Sequence, residues 1–283
     1  MMLRTRFAPS PTGPLHLGHA YSALLSHDMA KSGGGSFVLR IEDTDRLRCK
    51  SLWTEQIFDD LKWLGLEWEA PVIHQSERFG KYQKALCHLM DQELLFPCSC
   101  SRKDIEAAVS APQEGVPSFG PDGRIYPGTC RKRSMDSIKD GEALRLNIKA
   151  AIARVKNPLT YTEIKNGTIT KKYFQLKSLI TTVGDIVLQR RQSRDIAYHL
   201  SVVLDDSTQS ITDVVRGEDL EDSTQIHVLL QKLLGLKTPN YHHHQLIRDE
   251  AGKRLAKRTD AKSIQLFRRN GASPDDIRRM VGL

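Results

Sequence analysis

Two groups of residues in this 283-residue chain have the types and spacing for chemistry. The first is His16 and His19, which follow Arg6-Phe-Ala-Pro-Ser-Pro-Thr-Gly-Pro-Leu15 and open a helix-like repeat. Three residues apart on a helix, the two imidazoles share a face, and the unpaired N–H groups and positive dipole end of the first turn favour an anion there. Gly18 between them lets a flat ring or a phosphate approach the backbone. Such a pair, taken alone, is more often a solvated helix face than a site. The second group is Cys98-Ser-Cys100 with Tyr126-Pro-Gly-Thr-Cys130, three thiols and a phenol around a loop rich in Gly, Pro and charge. Thiolates are preferred structural ligands of tetrahedral zinc, and the alternative is a set of free thiols. About 25 residues separate Cys100 from Tyr126, and residues 110–124 within them read as a surface loop. Cys49 and Cys87 stand apart as ordinary thiols, so five cysteines make no disulfide framework.

The elements that must position these groups follow from periodicity. Thr5 to Ala8 reads as the core of a strand over 3–8, stopped by Pro9, Pro11, Gly13 and Pro14, after which Leu17, Ala20, Leu24 and Leu25 predict a helix over 17–32. Gly33-Gly-Gly-Ser reads as a turn into a strand at 36–41, since it lacks the Gly-x-x-x-x-Gly-Lys-Ser/Thr phosphate loop. Helical spacing returns through Leu52, Ile57, Leu61 and Leu64 and from Tyr82 to Leu94, the alternation of a doubly wound fold. Residues 96–190 break the rhythm. It resumes with a helix over 197–204, a strand at 211–215, a helix over 222–234 and a strand at 242–247. On that last strand His242, His243 and His244 alternate faces and cannot converge on one ion.

The net charge is +8, and residues 248–283 carry ten Lys/Arg against five Asp/Glu, a balance that suits a polyanion and also an ordinary solvated helix face. No apolar run approaches the roughly 20 residues that span a bilayer, and no signal-like segment precedes the first strand. These features describe a soluble cytoplasmic protein.

Arg254-Leu-Ala-Lys257-Arg258 near the C-terminus, paired with His16-Leu-Gly-His19, resembles the two signatures of class I aminoacyl-tRNA synthetases, the HIGH motif and the KMSKS loop. The loop departs from the family pattern, with Arg for the first Lys and Ala for the first Ser, but Lys257 matches the catalytic lysine. Leu39-Arg-Ile-Glu42-Asp-Thr-Asp45, Tyr198 to Asp206 and Val214-Val-Arg216-Gly-Glu-Asp219 are similar to the glutamyl branch of that class. The resemblance runs from residue 4 to about residue 270. It implies an α/β fold, a discontinuous Rossmann-type (HUP-like) catalytic domain in residues 1–95 and 191–250. An inserted subdomain at 96–190 carries the zinc site and contacts the tRNA acceptor region, and 251–283 holds the lysine loop and a basic helical tail. It implies catalysis by His16, His19 and Lys257, which with Gly18 bind ATP, the nucleotide being used with Mg2+. Glutamate falls to Arg6, Ala8, Ser10, Glu42, Tyr198 and Arg216, and zinc to Cys98, Cys100, Tyr126 and Cys130. By residue type alone, Glu42 is also a partner for Arg40 or Arg46, and Arg216 for Glu218. Which arginine takes which carboxylate stays open.

Family members read the anticodon with a helical domain beyond the lysine loop, whereas 26 residues follow Lys257 here. That shortness resembles a paralogous branch that forms glutamyl-adenylate without tRNA and esterifies glutamate onto queuosine, in the anticodon stem-loop of tRNA(Asp). The expected partners are therefore that tRNA, L-glutamate and ATP, acting on a monomer. A shortened synthetase charging tRNA(Glu), a ligase with a small-molecule acceptor and a non-catalytic tRNA-binding remnant are the other readings.

Overall fold

The computed structural model describes residues 2–109, 119–155, 158–165, 167–247 and 263–283. In chain order the regular elements are β1 (Arg4–Phe7), α1 (Leu17–Ser32), β2 (Ser36–Ile41), α2 (Ser51–Trp63), β3 (Glu69–His74), α3 (Phe79–Asp91), β4 (Leu95–Cys98), α4 (Arg102–Val109), β5 (Phe119–Gly120) and β6 (Gly123–Arg124). They continue with β7 (Ala143–Leu146), α5 (Ile148–Arg154), β8 (Leu159–Lys165), β9 (Thr168–Phe174), α6 (Leu179–Thr182), β10 (Val187–Gln189), α7 (Tyr198–Thr208), β11 (Asp213–Gly217), α8 (Thr224–Leu233), β12 (Asn240–His244), α9 (Ile264–Arg269) and α10 (Pro274–Val281). The ranges of α1 and β2 are those that the hydrophobic spacing predicts. No helix among the described residues is long and apolar enough to cross a membrane.

Strands β1, β2 and β3 form a parallel sheet, and β11, β12 and β8 form a second parallel set with β9 antiparallel on its edge. The two join edge to edge. Thr212 N–H donates to Arg4 O at 3.0 Å, Arg4 N–H to Thr212 Oγ1 at 2.8 Å, and the Arg6 guanidinium to Val215 O at 3.3 Å. The halves before and after the break in rhythm thus lie side by side as two sheets that meet along β1 and β11. Residues 159–174 lie inside the expected 96–190 insertion, yet β8 pairs with β12 in parallel, Tyr241 opposite Glu163. Periodicity shows that a segment is a strand and carries no information about its partner, so this pairing could not be read from the sequence. The antiparallel sheet β10-β7-β4 is separate and carries Cys98 at the end of β4.

Side chains that alternate along each strand give the sheet two distinct faces. On β1, Thr5 donates its hydroxyl to Ser26 O of α1 at 2.7 Å, while the next residue, Arg6, reaches Asp206 of α7 on the other face at 3.1 Å. On β2, Leu39 and Ile41 enter the apolar layer with α1 and α2, and Arg40 between them reaches Asp206 at 2.8 Å and Gln209 at 2.9 Å. Residues Ile277 and Val281 of α10 complete the α1 side, and Arg278 clamps Asp28 at 2.6 and 3.1 Å. The opposite layer is built from α3, α5, α7 and α8, with Leu86, Leu89, Leu200 and Leu229 buried in it.

Adjacent to Asp206, Asp205 is fully buried and accepts from Gln75 Nε2 at 2.9 Å, Arg78 Nε at 2.7 Å and the Tyr82 hydroxyl at 2.7 Å. These bonds fasten α7 to the segment that follows β3. Removing a buried carboxylate and orphaning its partners costs about 3–5 kcal/mol. Asp205→Ala should lower the urea midpoint by a corresponding amount with the slope of unfolding unchanged; a loss below about 1 kcal/mol would mean that the three donors pair equally well with water.

Candidate active site

A cavity of about 260 Å3 opens at the C-terminal ends of β1, β11 and β12, where an open parallel α/β sheet binds ligands. Its lining contains Arg6, Ala8, Ser10, His16, Gly18, His19, Glu42, Tyr198 and Arg216, which brings together every described residue that the sequence singles out for glutamate or ATP. Lys257 lies outside the described residues. The described positions on either side of it are at the same place: Leu246 and Ile247 line the cavity, and Ser263 bridges to His16 while Ile264 N–H donates to Leu15 O at 2.8 Å.

On the α1 face the two histidines cap their own helix. Gly18 N–H donates to His16 Nδ1 and His16 N–H to His19 Nδ1, each at 3.1 Å, and the tilted rings lie 3.8 Å apart. With each Nδ1 accepting, a neutral ring carries its proton on Nε2, so both present Nε2–H as a donor. Gly18 admits a close approach, and the group that approaches is His16 itself: a Cβ there would sit 3.1 Å from the ring. Ser22 Oγ lies 2.7 Å from His244 Nε2, and His244 Nδ1 donates to Gln245 O at 2.9 Å. The histidine run splits as strand alternation requires. His242 meets Asp213 at 2.8 Å, His243 points to the α8 face and His244 to α1.

The opposite face carries charge. Asp206 is shared by Arg6 and Arg40, and Arg40 also reaches Glu42 at 3.3 Å, so the partnership with Arg40 is present, but buried. Burial pushes the Asp206 carboxyl up, and the two guanidinium groups outweigh it and hold the acid below its usual range. At Glu42 burial prevails over Arg40 and Arg6, and its pKa is raised. Arg216, 5% exposed, makes no ion pair with Glu218. Its guanidinium bonds instead to His243 Nε2 (3.3 Å), His227 Nδ1 (3.0 Å) and Thr224 Oγ1 (2.6 Å) and lies over the Tyr241 ring, with its carbon 4.9 Å from the centroid. No carboxylate pairs with it among the described residues. The Tyr198 hydroxyl has no hydrogen-bond partner among them either, and burial raises its pKa. Asp206, Thr224, His227 and His243 did not emerge as site residues from sequence; the signal available was the Asp-Asp pair ending the Tyr198 to Asp206 motif.

Away from this cavity, Cys98, Cys100 and Cys130 form a group whose sulfur atoms lie within 4.8 Å of one another and could hold a metal ion. Ligands 2.3 Å (S) and 2.0 Å (O) from a tetrahedral ion stand ~3.8 Å apart for S···S and ~3.5 Å for S···O. Here Cys100 and Cys130 sulfurs are 3.6 Å apart, and the Tyr126 hydroxyl is 3.4 Å from Cys98 and 3.5 Å from Cys100. The donor set fits such an ion. Burial pushes the Cys100 thiol up to about 11. At Cys130 burial also opposes ionisation, but hydrogen bonds from the Tyr126 hydroxyl and Ser99 backbone prevail and hold it down to about 6, so one thiolate is available at neutral pH.

The description of the family model that matches residues 2–283 is "tRNA synthetases class I (E and Q), catalytic domain". A glutamyl-Q tRNA(Asp) synthetase of Rhodobacter capsulatus is 52% identical over 99% of this chain and 99% of its own length. Its counterpart in Albidiferax ferrireducens is 40% identical over 92% of this chain and 85% of its own length. The solved glutamate-tRNA synthetase of Elizabethkingia anophelis superposes with a TM-score of 0.72 at 28% identity, over 91% of this chain and 53% of that one. The chain thus spans about half the length of that synthetase. With the paired histidines at the start of α1 and a doubly wound sheet that carries the cavity at its C-terminal edge, the chain belongs to the class I glutamyl and glutaminyl tRNA synthetase family.

Proposed function

We propose that the chain activates L-glutamate with ATP and transfers the glutamyl group to the queuosine base at the wobble position of tRNA(Asp). The observation that carries this reading is one cavity with two chemically different halves: imidazole donors at a helix start on the α1 face, and buried arginines with Glu42 on the other. The first half suits a polyphosphate and the second a zwitterion with two carboxylates.

In the first step an α-carboxylate oxygen bonds to the α-phosphorus of ATP as the bond to the bridging oxygen breaks and pyrophosphate leaves. His16 and His19, donating through Nε2, stabilise charge spreading over the α-phosphate, and Lys257 neutralises the departing pyrophosphate. Class I synthetases use ATP with Mg2+. Arg6 and Arg216 hold the two carboxylates, the Tyr198 hydroxyl donates to one, and Ser10 with the backbone at Ala8 forms the floor. Glu42 takes the substrate ammonium, whose charge would favour the ionised acid against the burial that raises its pKa. In the second step a hydroxyl of the cyclopentene diol attacks the acyl carbon, an ester C–O bond forms, AMP leaves with the electron pair of the mixed-anhydride C–O bond, and the hydroxyl proton passes to the phosphate that leaves. That diol imitates the vicinal hydroxyls of a terminal ribose. We read Cys98, Cys100 and Cys130, with Tyr126 as fourth ligand, as the site of a structural zinc, which would tie the end of β4 to the turn from Tyr126 to Cys130.

Labelled glutamate should be transferred, with ATP, to tRNA(Asp) bearing queuosine and to neither the unmodified tRNA nor tRNA(Glu). Label on tRNA(Glu) would make the chain a conventional charging enzyme, and label on none would point to a small-molecule acceptor. Lys257→Ala should slow glutamate-dependent pyrophosphate exchange by about 10²–10³-fold at an unchanged Tm, and a rate within about threefold of the parent would remove the assigned role. Protein purified without chelator should hold about one zinc per chain and Cys100→Ser much less; a nearly metal-free parent would refute the zinc assignment.

A further inference from the structure

Arg216 is buried with a full positive charge and three neutral acceptors. The hydrogen bonds fix the state of each. His243 Nδ1 lies 2.7 Å from Glu163 Oε1 and must donate to it, which leaves Nε2 to accept from Arg216 and Thr224. His227 accepts from Arg216 at Nδ1, so its proton sits on Nε2 and is given to His199 Nδ1 at 3.1 Å; His199 Nε2 in turn faces Asp122 at 3.3 Å. His243 is therefore oriented from behind by the Glu163 carboxylate and His227 by His199, which in turn meets Asp122; neither carboxylate pairs with the arginine. Glu163 is further held by Lys172 at 2.9 Å. Burial and the Arg216 charge hold His243 down to about 4 and push His227 well below its ordinary value, so both rings are neutral at physiological pH.

This differs from the two arginines gathered at Asp206, of which Arg6 lines the cavity. Arg6 and Arg40 share that carboxylate, so part of their charge is met there. A guanidinium caged by neutral groups keeps its whole attraction for an incoming anion, whereas one that shares a carboxylate keeps only part of it. Arg216 also reaches back into α8, away from the α1 face that carries His16 and His19. The α-carboxylate must meet the α-phosphate on that α1 side, which leaves the side-chain carboxylate for Arg216. We infer that His227, His243 and Thr224 are positioning residues that hold Arg216 without neutralising it, and that this cage sets the preference for a side-chain carboxylate over a carboxamide. The inference rests on glutamate being the substrate.

The test is amino-acid-dependent pyrophosphate exchange by the full chain with glutamate and with glutamine. His227→Glu places a carboxylate against Arg216, and the KM for glutamate should rise about tenfold or more, with the glutamate-to-glutamine ratio of kcat/KM falling by a similar factor and the KM for ATP unchanged. His227→Gln, which restores an uncharged acceptor, should hold the ratio within about threefold of the parent. Thr224→Asp against Thr224→Asn repeats the comparison at the first residue of α8, where the helix dipole favours an acid, so the test survives if the His227 variants fail to fold. Equal losses of selectivity in the charged and uncharged variants, or a ratio untouched by the added carboxylates, would overturn the inference. A parent that exchanges with neither amino acid would instead overturn the substrate assignment on which it rests.

Discussion

The carboxylate of Asp206, buried at the end of α7, holds Arg6 of β1 at 3.1 Å and Arg40 of β2 at 2.8 Å. Everything at the cavity depends on that arrangement. Two guanidinium groups on neighbouring strands repel one another in a medium of low dielectric, and a single shared carboxylate is what allows both to be buried. It also fixes the strand ends in space, because α7 precedes β11 and its hold on β1 and β2 locks the two halves of the sheet in one frame.

With Asp206 in place, charge around the cavity is partitioned. Arg40 is committed to Asp206, Gln209 and Glu42 and has no further duty toward a ligand. Arg6 keeps part of its donor set for the cavity, and Arg216 keeps its whole charge. Glu42 supplies an acid on the wall whose pKa is raised by burial, and so one responsive to an incoming cation. The wall is thus a template for a molecule with two negative ends and one positive centre. On the other face of the same strands there are no acids in the first turn of α1, only imidazoles and backbone N–H groups, which is a template for phosphate.

The division between faces is a direct consequence of strand geometry. Thr5 and Arg6, or His243 and His244, are adjacent in the chain and serve opposite sides of the sheet. Groups held on the two sides would meet only at the strand ends, where the sheet stops shielding them from each other. The cysteine group has no part in this. It lies beside a separate antiparallel sheet, with Cys98 at the end of β4.

By itself the sequence determined the elements and the chemistry of the principal groups. Proline and glycine punctuation and 3.6-residue spacing placed α1 and β2 and drew attention to His16 and His19, and the resemblance to class I synthetases singled out Arg6, Glu42, Tyr198 and Arg216; all six line one cavity. These features were legible because they are local: caps, turns and periodicity act over a few residues. Tertiary structure alone decided that β8 pairs with β12, that Arg40 is paired while Arg216 is not, and that Thr224, His227 and His243 surround the latter. Those facts concern which charge meets which partner across tens to hundreds of residues. In a buried site it is the partner, more than the residue type, that sets whether a charge remains available.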